Sequence, residues 1–186
     1  MTGSKLTYES LPHLSIVIGG ARSGKSRLAE ALVTSAGLPR VYIATAEAWD
    51  EEMRARIDAH RLDRGGDWTT VEAPRRLCTA LAAVPAGHVV LIDCATLWLT
   101  NQMLAEEDIA AQTTALLAAL AASVAPVVVV TNEVGWSIVP ENALARRFRD
   151  AQGRLNQALA AQADLVVAAI AGLPLVLKGQ MPAGVT

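Results

Sequence analysis

Short apolar runs alternate along the chain with longer stretches in which apolar residues recur every three to four positions. The runs are the length of strands buried on both faces, and the recurring stretches have helical spacing. Residues 14–18, 41–44, 68–72, 88–93, 126–131, 165–170 and 175–178 are predicted strands, and 126–131 holds four consecutive valines. Residues 27–35, 50–63, 74–84, 106–124 and 141–163 are predicted helices. Breaks fall where turn residues gather. Ala36-Gly37-Leu38-Pro39 stops the first helix, and Arg64-Gly65-Gly66-Asp67 stops the second. Pro74 sits at the start of the third, where its missing N–H costs nothing. Gly172-Leu173-Pro174 is too short to cross a sheet, so the last two strands form a hairpin and at least one edge strand is antiparallel.

Strands alternating with helices make a mostly parallel sheet covered on both faces. Ligands of such sheets sit beyond the carboxyl ends of the strands. Those ends carry residues 19–26, residues 45–49, Asp93 and Thr131-Asn132-Glu133, so the polar residues converge on one edge. No internal repeat, low-complexity segment or interdomain linker interrupts the pattern. One domain over residues 14–178 is expected, with an extension at 1–13 and a tail at 179–186.

Composition narrows the picture. The 186 residues are 52% hydrophobic but only 4% aromatic, so Ala, Val, Leu and Ile must fill the core. A net charge of −2 provides no basic field for nucleic acid. Cys78 and Cys94 are too few for a disulfide scaffold, which points to a reduced, cytoplasmic setting. Residues 1–13 lack the apolar core of a secretory signal. No apolar run reaches the roughly 20 residues that span a bilayer.

Gly19-Gly20-Ala21-Arg22-Ser23-Gly24-Lys25-Ser26 fits G-x-x-x-x-G-K-[ST], between a predicted strand and a predicted helix as a phosphate-binding P-loop requires. The glycines allow a tight turn that aims backbone N–H groups at phosphate oxygens, and the helix N-terminus adds positive charge. Lys25 reaches the β- and γ-phosphates, and the Ser26 hydroxyl ligates Mg²⁺. The fold class that follows is α/β, a RecA-like P-loop NTPase with an antiparallel carboxyl-terminal edge hairpin. Asp93, after four apolar residues, suits a second Mg²⁺ ligand; the alternative is an acid that merely ends a strand.

Arg56, His60 and Arg64 recur four residues apart and so lie along one face of the predicted 50–63 helix, with Arg64 at its fraying end. A neutral imidazole is a competent nucleophile toward phosphorus, and flanking guanidiniums disfavour imidazolium while holding a polyphosphate. On pattern alone a solvated surface histidine is the other reading. Thr131-Asn132-Glu133 suits ligand contact or simple strand termination. Arg146 to Arg154 suit a solvated helix face, and Trp98 and Trp136 suit either a planar ligand or packing.

Together these residues resemble the bifunctional adenosylcobinamide kinase / adenosylcobinamide-phosphate guanylyltransferase family of cobalamin biosynthesis. The resemblance rests on the P-loop, Tyr42-Ile43-Ala44-Thr45, Asp50-Glu51-Glu52-Met53 with Arg56-Ile57 and His60, and Trp68. It continues through Asp93, Thr100-Asn101, Thr131-Asn132-Glu133-Val134-Gly135, Ile138-Val139-Pro140-Glu141-Asn142 and Arg149-Asp150. It implies two reactions. ATP or GTP phosphorylates the aminopropanol hydroxyl of adenosylcobinamide. GMP from GTP is then transferred onto that phosphate, giving adenosylcobinamide-GDP and pyrophosphate. The resemblance makes His60 the guanylylated nucleophile, puts Glu72 near a nucleotide-contacting position, and implies a homotrimer with sites between subunits. The sequence departs from the family in its longer amino-terminal extension and in Trp136, where a Gly or Ala is expected.

Two other functions compete. A P-loop small-molecule kinase without nucleotidyl transfer leaves His60 unexplained. A GTP-binding regulatory module would need switch loops and a partner surface.

Overall fold

In a computed structural model, which describes residues 10–47, 51 and 67–185, seven strands form a single sheet. They are β1 (Leu14–Gly19), β2 (Arg40–Ala44), β3 (Trp68–Glu72), β4 (Val89–Asp93), β5 (Val127–Asn132), β6 (Leu165–Ile170) and β7 (Leu173–Lys178). Their order is β3-β2-β4-β5-β1-β6-β7. All neighbours are parallel except β6 and β7, which form the antiparallel edge.

Five helices are described: α1 (Lys25–Ser35), α2 (Leu77–Ala82), α3 (Ala95–Leu104), α4 (Ile109–Ala122) and α5 (Ala143–Gln162). Side chains alternate across each strand, so the continuous apolar runs supply two cores at once. On one face Val17, Leu91, Val128, Val130 and Val167 pack with Leu28, Ala29, Leu32 and Val33 of α1. On the other, Ile16, Ile43, Ile92 and Val129 pack with Leu77, Trp98, Leu99, Leu116, Leu120 and Leu155 of α2 to α5.

The structure differs from the sequence pattern in a few places, each with a local cause. Helix α3 was not expected. Its buried residues include Trp98 and Leu99 but also Asn101 and Gln102, so no polar stripe marks a helical period. Its N-cap is the Cys94 sulfur, which accepts from Leu97 N–H at 3.5 Å, instead of the Ser, Thr, Asp or Asn that signals a helix start. Helix α4 begins at Ile109 because Asp108 Oδ1 accepts from Ala110 and Ala111 N–H at 3.0 and 3.1 Å. Likewise Asn142 Oδ1 caps α5, accepting from Leu144 N–H at 2.7 Å and Ala145 N–H at 3.2 Å. Helix α2 is shorter than residues 74–84. The hairpin turn is Ala171-Gly172, with φ of 53° and 81°, so Leu173 and Pro174 already belong to β7. Positive φ at both central residues matches the twist of a two-residue hairpin. Apart from Glu51, the helix expected over residues 50–63 lies outside the described residues, as do Arg56, His60 and Arg64.

Candidate active site

Strand β1 ends at Gly19 and α1 starts at Lys25, so residues 19–26 form the loop from the centre of the sheet into the one helix described on that face. Gly24 takes the N-cap position at φ 90°, and no side chain caps the helix. Its first N–H groups therefore face the loop without a side-chain acceptor, the arrangement that receives an anion. Two glycines are sterically required. A Cβ on Gly19 would stand 2.4 Å from Ser23 Oγ and 2.7 Å from the Ala169 carbonyl oxygen. One on Gly24 would stand 3.1 Å from Gly172 Cα, in a backbone region L-residues avoid. A Cβ on Gly20 meets nothing within 4 Å. Ala21 and Arg22 form the exposed tip, with Arg22 at φ 56°. Lys25 Nζ donates to the Gly20 carbonyl at 3.1 Å, folding the ammonium over the loop, and Ser26 is half-buried at the start of α1.

Asp93 ends β4, half-buried. It follows Leu91 by two residues and Gly19 follows Val17 by two, so both lie on the α1 face of the sheet. Tyr42, also on that face, donates its hydroxyl to Asp93 Oδ2 at 3.0 Å. The next residue, Cys94, has its thiol pushed up to about 12, first by burial and then by the Asp93 charge, while the Lys25 ammonium pulls the other way. Only β5 separates β4 from β1, so Asp93 ends its strand on the same face and at the same sheet edge as Gly19, whose loop leads into Lys25.

Glu72 is not part of that group. It ends β3, exposed and in register with Ala44. Four strand spacings of about 4.8 Å separate β3 from β1, so Glu72 is about 19 Å from the P-loop strand along the same sheet edge.

Buried polar bonds fix this edge from behind, and few of them are legible from residue spacing. Thr45 Oγ1 donates to the Cys94 carbonyl at 2.7 Å and accepts from Cys94 N–H at 2.7 Å, locking the loop after β2 to the start of α3. Asn101 Nδ2 donates to the carbonyls of Thr45 at 2.8 Å and Pro74 at 3.0 Å, and Gln102 Nε2 donates to that of Arg75 at 2.9 Å. Buried amides on a helix were the available signal, but only α3 itself makes them legible. Behind β5, Thr131 Oγ1 donates to Asn156 Oδ1 at 2.7 Å, and Gln152 Nε2 donates to Thr131 Oγ1 at 3.0 Å and to Asn156 Oδ1 at 2.8 Å. Trp98 lies in the core at 1% exposure and cannot stack on a ligand; Trp136 is 84% exposed.

Among the described residues no three His, Cys, Asp or Glu side chains cluster to hold a metal. The Ser26 hydroxyl and the Asp93 carboxylate are hard oxygen donors of the kind Mg²⁺ takes alongside substrate phosphates and water. An apolar groove of about 400 Å³ lies elsewhere, between Met103 and Leu104 of α3 and Leu144 and Phe148 of α5. No described helix is long and apolar enough to cross a membrane.

Solved P-loop ATPases share the fold. The RadB recombinase superposes with a TM-score of 0.51 at 19% identity, over 86% of this chain and 75% of that one. An ATPase from a bacterial type III secretion system gives 0.54 at 11% identity, over 90% and 59%. Sequence relatives are nearer. The bifunctional adenosylcobalamin biosynthesis protein CobP of Pseudomonas aeruginosa is 44% identical over 168 residues, 89% of this chain and 97% of that protein. The corresponding CobU of Salmonella typhimurium is 45% identical over 180 residues, covering 88% and 98%. Residues 15–177 match the family described as cobinamide kinase / cobinamide phosphate guanyltransferase. On the fold, the relatives and that match, the chain belongs to the cobinamide kinase / cobinamide phosphate guanyltransferase family and is a transferase.

Proposed function

We propose that residues 14–178 form one domain that runs two reactions in sequence on adenosylcobinamide. In the first, the P-loop holds ATP or GTP, and the γ-phosphoryl group passes to the aminopropanol hydroxyl. Backbone N–H groups of residues 19–26 cradle the phosphates, and Lys25 neutralises charge on the group in flight. Ser26 and Asp93 would hold Mg²⁺, which when bound supplies charge neutralisation across the β- and γ-phosphates. The observation that carries this reading is the placement of Gly19 and Asp93 at the ends of β1 and β4, on the α1 face of one sheet edge, with Lys25 opening α1 there.

In the second reaction His60 attacks the α-phosphate of GTP. A nitrogen–phosphorus bond forms, the bond to pyrophosphate breaks, and the pyrophosphate leaves with the electron pair. An oxygen of adenosylcobinamide phosphate then displaces the imidazole to give adenosylcobinamide-GDP. Arg56 and Arg64 hold the triphosphate, and Glu72 contacts the nucleotide of this step. The breadth of the sheet supports separate subsites, since one phosphate cannot bridge the roughly 19 Å between β1 and β3. The assembly is a cytoplasmic homotrimer. Apolar side chains along β7, with Leu173 at 70% and Leu177 at 59% exposure, support an oligomer.

Labelled GTP followed by denaturing electrophoresis tests the reading. The wild-type protein should carry a covalent GMP that is labile to acid and stable to alkali. The His60→Ala protein should lose the label yet still phosphorylate adenosylcobinamide. Retention of an equally acid-labile adduct in that variant would assign the nucleophile elsewhere. Light scattering that returned a monomer at micromolar concentration would remove the trimer.

A further inference from the structure

Asn132 ends β5, the strand between β4 and β1, and is in register with Gly19 of the P-loop strand. It follows Val130 by two residues. Val128 and Val130 pack on the α1 side of the sheet, so Asn132 lies on that face too. Gly19 is beside it on one neighbouring strand, and Asp93 ends the other. The backbone here is fixed independently of the Asn132 side chain. Its N–H donates to Thr96 Oγ1 at 2.8 Å, and its carbonyl accepts from Asn156 Nδ2 at 3.0 Å. The preceding residue, Thr131, turns to the opposite face and is bonded into α5.

Asn132 Oδ1 is nevertheless buried and has no hydrogen-bond partner among the described residues. A buried amide oxygen left unpaired costs free energy, and its position between the P-loop and Asp93 gives that cost a reason. Whatever satisfies Oδ1 must donate a hydrogen bond. Phosphate oxygens only accept, so the nucleotide's phosphates cannot do it. The alcohol that receives the phosphoryl group can.

We infer that the Asn132 amide orients the attacking hydroxyl in the kinase reaction, Oδ1 accepting from that hydroxyl and Nδ2 donating to a γ-phosphoryl oxygen. This rests on the P-loop reading of the kinase step proposed above. In the transfer the alcohol oxygen bonds to the γ-phosphorus while the bond from phosphorus to the bridging oxygen breaks. The nucleoside diphosphate leaves with that electron pair, and the hydroxyl proton passes to an oxygen of the transferred group. Asn132 fixes the line of approach and takes no proton.

The test measures phosphorylation of adenosylcobinamide by Asn132→Ala and by Asn132→Asp, which keeps the shape but sets a carboxylate against the phosphate. Loss of an oriented hydrogen-bonding group at a reacting centre costs about 10²-fold in rate. Both variants should lose kcat by that order while binding a non-hydrolysable GTP analogue within about threefold of wild type. Their Mg²⁺ dependence should stay unchanged and the thermal midpoint of Asn132→Ala should not fall, since removing an unpaired buried oxygen relieves its cost, whereas a structural role would lower the midpoint and leave kcat. Wild-type kcat in either folded variant overturns the inference, as does a loss of nucleotide affinity matching the loss of rate. A raised Mg²⁺ requirement would assign the amide to water on the metal and overturn it too. If Asn132→Ala does not fold, Asn132→Asp decides alone. A wild-type enzyme that cannot phosphorylate adenosylcobinamide would overturn the kinase reading itself, an outcome visible before any variant is made.

Discussion

Tyr42 donates its phenolic hydrogen to Oδ2 of Asp93 at 3.0 Å, reaching from the middle of β2 to the end of β4. One carboxylate oxygen is thereby held by the protein, and the other has no hydrogen-bond donor among the described residues. Partners of this kind behind a metal-binding carboxylate are worth roughly 10- to 100-fold in affinity or activity. Tyr42→Phe should therefore raise the Mg²⁺ concentration for half-maximal kinase activity by about tenfold, while Asp93→Asn loses most of the activity at any Mg²⁺ concentration. A Mg²⁺ titration of both variants checks this, and identical curves for wild type and Tyr42→Phe would separate the hydroxyl from the metal.

Lys25→Ala should lower the kinase rate by about 10²-fold or more, because the ammonium neutralises charge that develops as the phosphoryl group moves. Its bond in the structure is to the loop's own Gly20 carbonyl, so the loop should remain folded without it. Steady-state phosphorylation of adenosylcobinamide reads the effect. Activity within twofold of wild type would be incompatible with the role.

Thr131→Val keeps shape and volume but removes a hydroxyl that bonds Asn156 and Gln152 in a fully buried network. Two buried amides lose a partner, so the variant should be less stable by about 1–3 kcal/mol. Urea unfolding should show a lower midpoint with an unchanged slope. An unchanged midpoint would mean that the network adds nothing to stability.

Cys94 makes stability depend on alkaline pH. The folded protein holds the thiol proton up to about 12, against 9.0 for the free group. Above pH 9 the unfolded chain ionises first and binds fewer protons than the folded one, so stability falls as pH rises. The contribution is complete below pH 9 and is lost progressively as pH rises toward 12. Cys94→Ser, which does not titrate in this range, should flatten that limb of the profile. Urea midpoints at pH 8, 9 and 10 under reducing conditions would show it; parallel profiles would rule it out.

The strands were legible because burial on both faces demands unbroken apolar runs, and Val127 to Val130 could hardly be anything else. The P-loop was legible because a glycine such as Gly19 is a steric necessity written directly into the sequence. Helix α3 was hidden because it is buried on nearly every side and capped by a sulfur, so it carries neither a polar stripe nor a capping residue. The later start of α4 reflects the Asp108 cap, a local bond that periodicity does not see, whereas α2 starts without any side-chain cap. Asn132 was visible as a polar residue ending a strand. Its free oxygen was not, because that depends on the register of β5 against β1, set by residues more than a hundred positions away. The helix predicted to carry His60 rests on sequence spacing alone.

The turn of the carboxyl-terminal hairpin lies against the P-loop: Gly172 N–H donates to the Ser23 carbonyl at 2.9 Å, and Gly172 Cα blocks any side chain at Gly24. Ser23 leaves the ribosome about 150 residues before Gly172 does. The loop's backing, and the β5 and β6 strands that flank β1, are thus synthesised more than a hundred residues after the loop itself. A growing chain holds the whole phosphate motif early but has nothing to brace it. A chain truncated before residue 172 therefore keeps the phosphate motif without the contact that supports it.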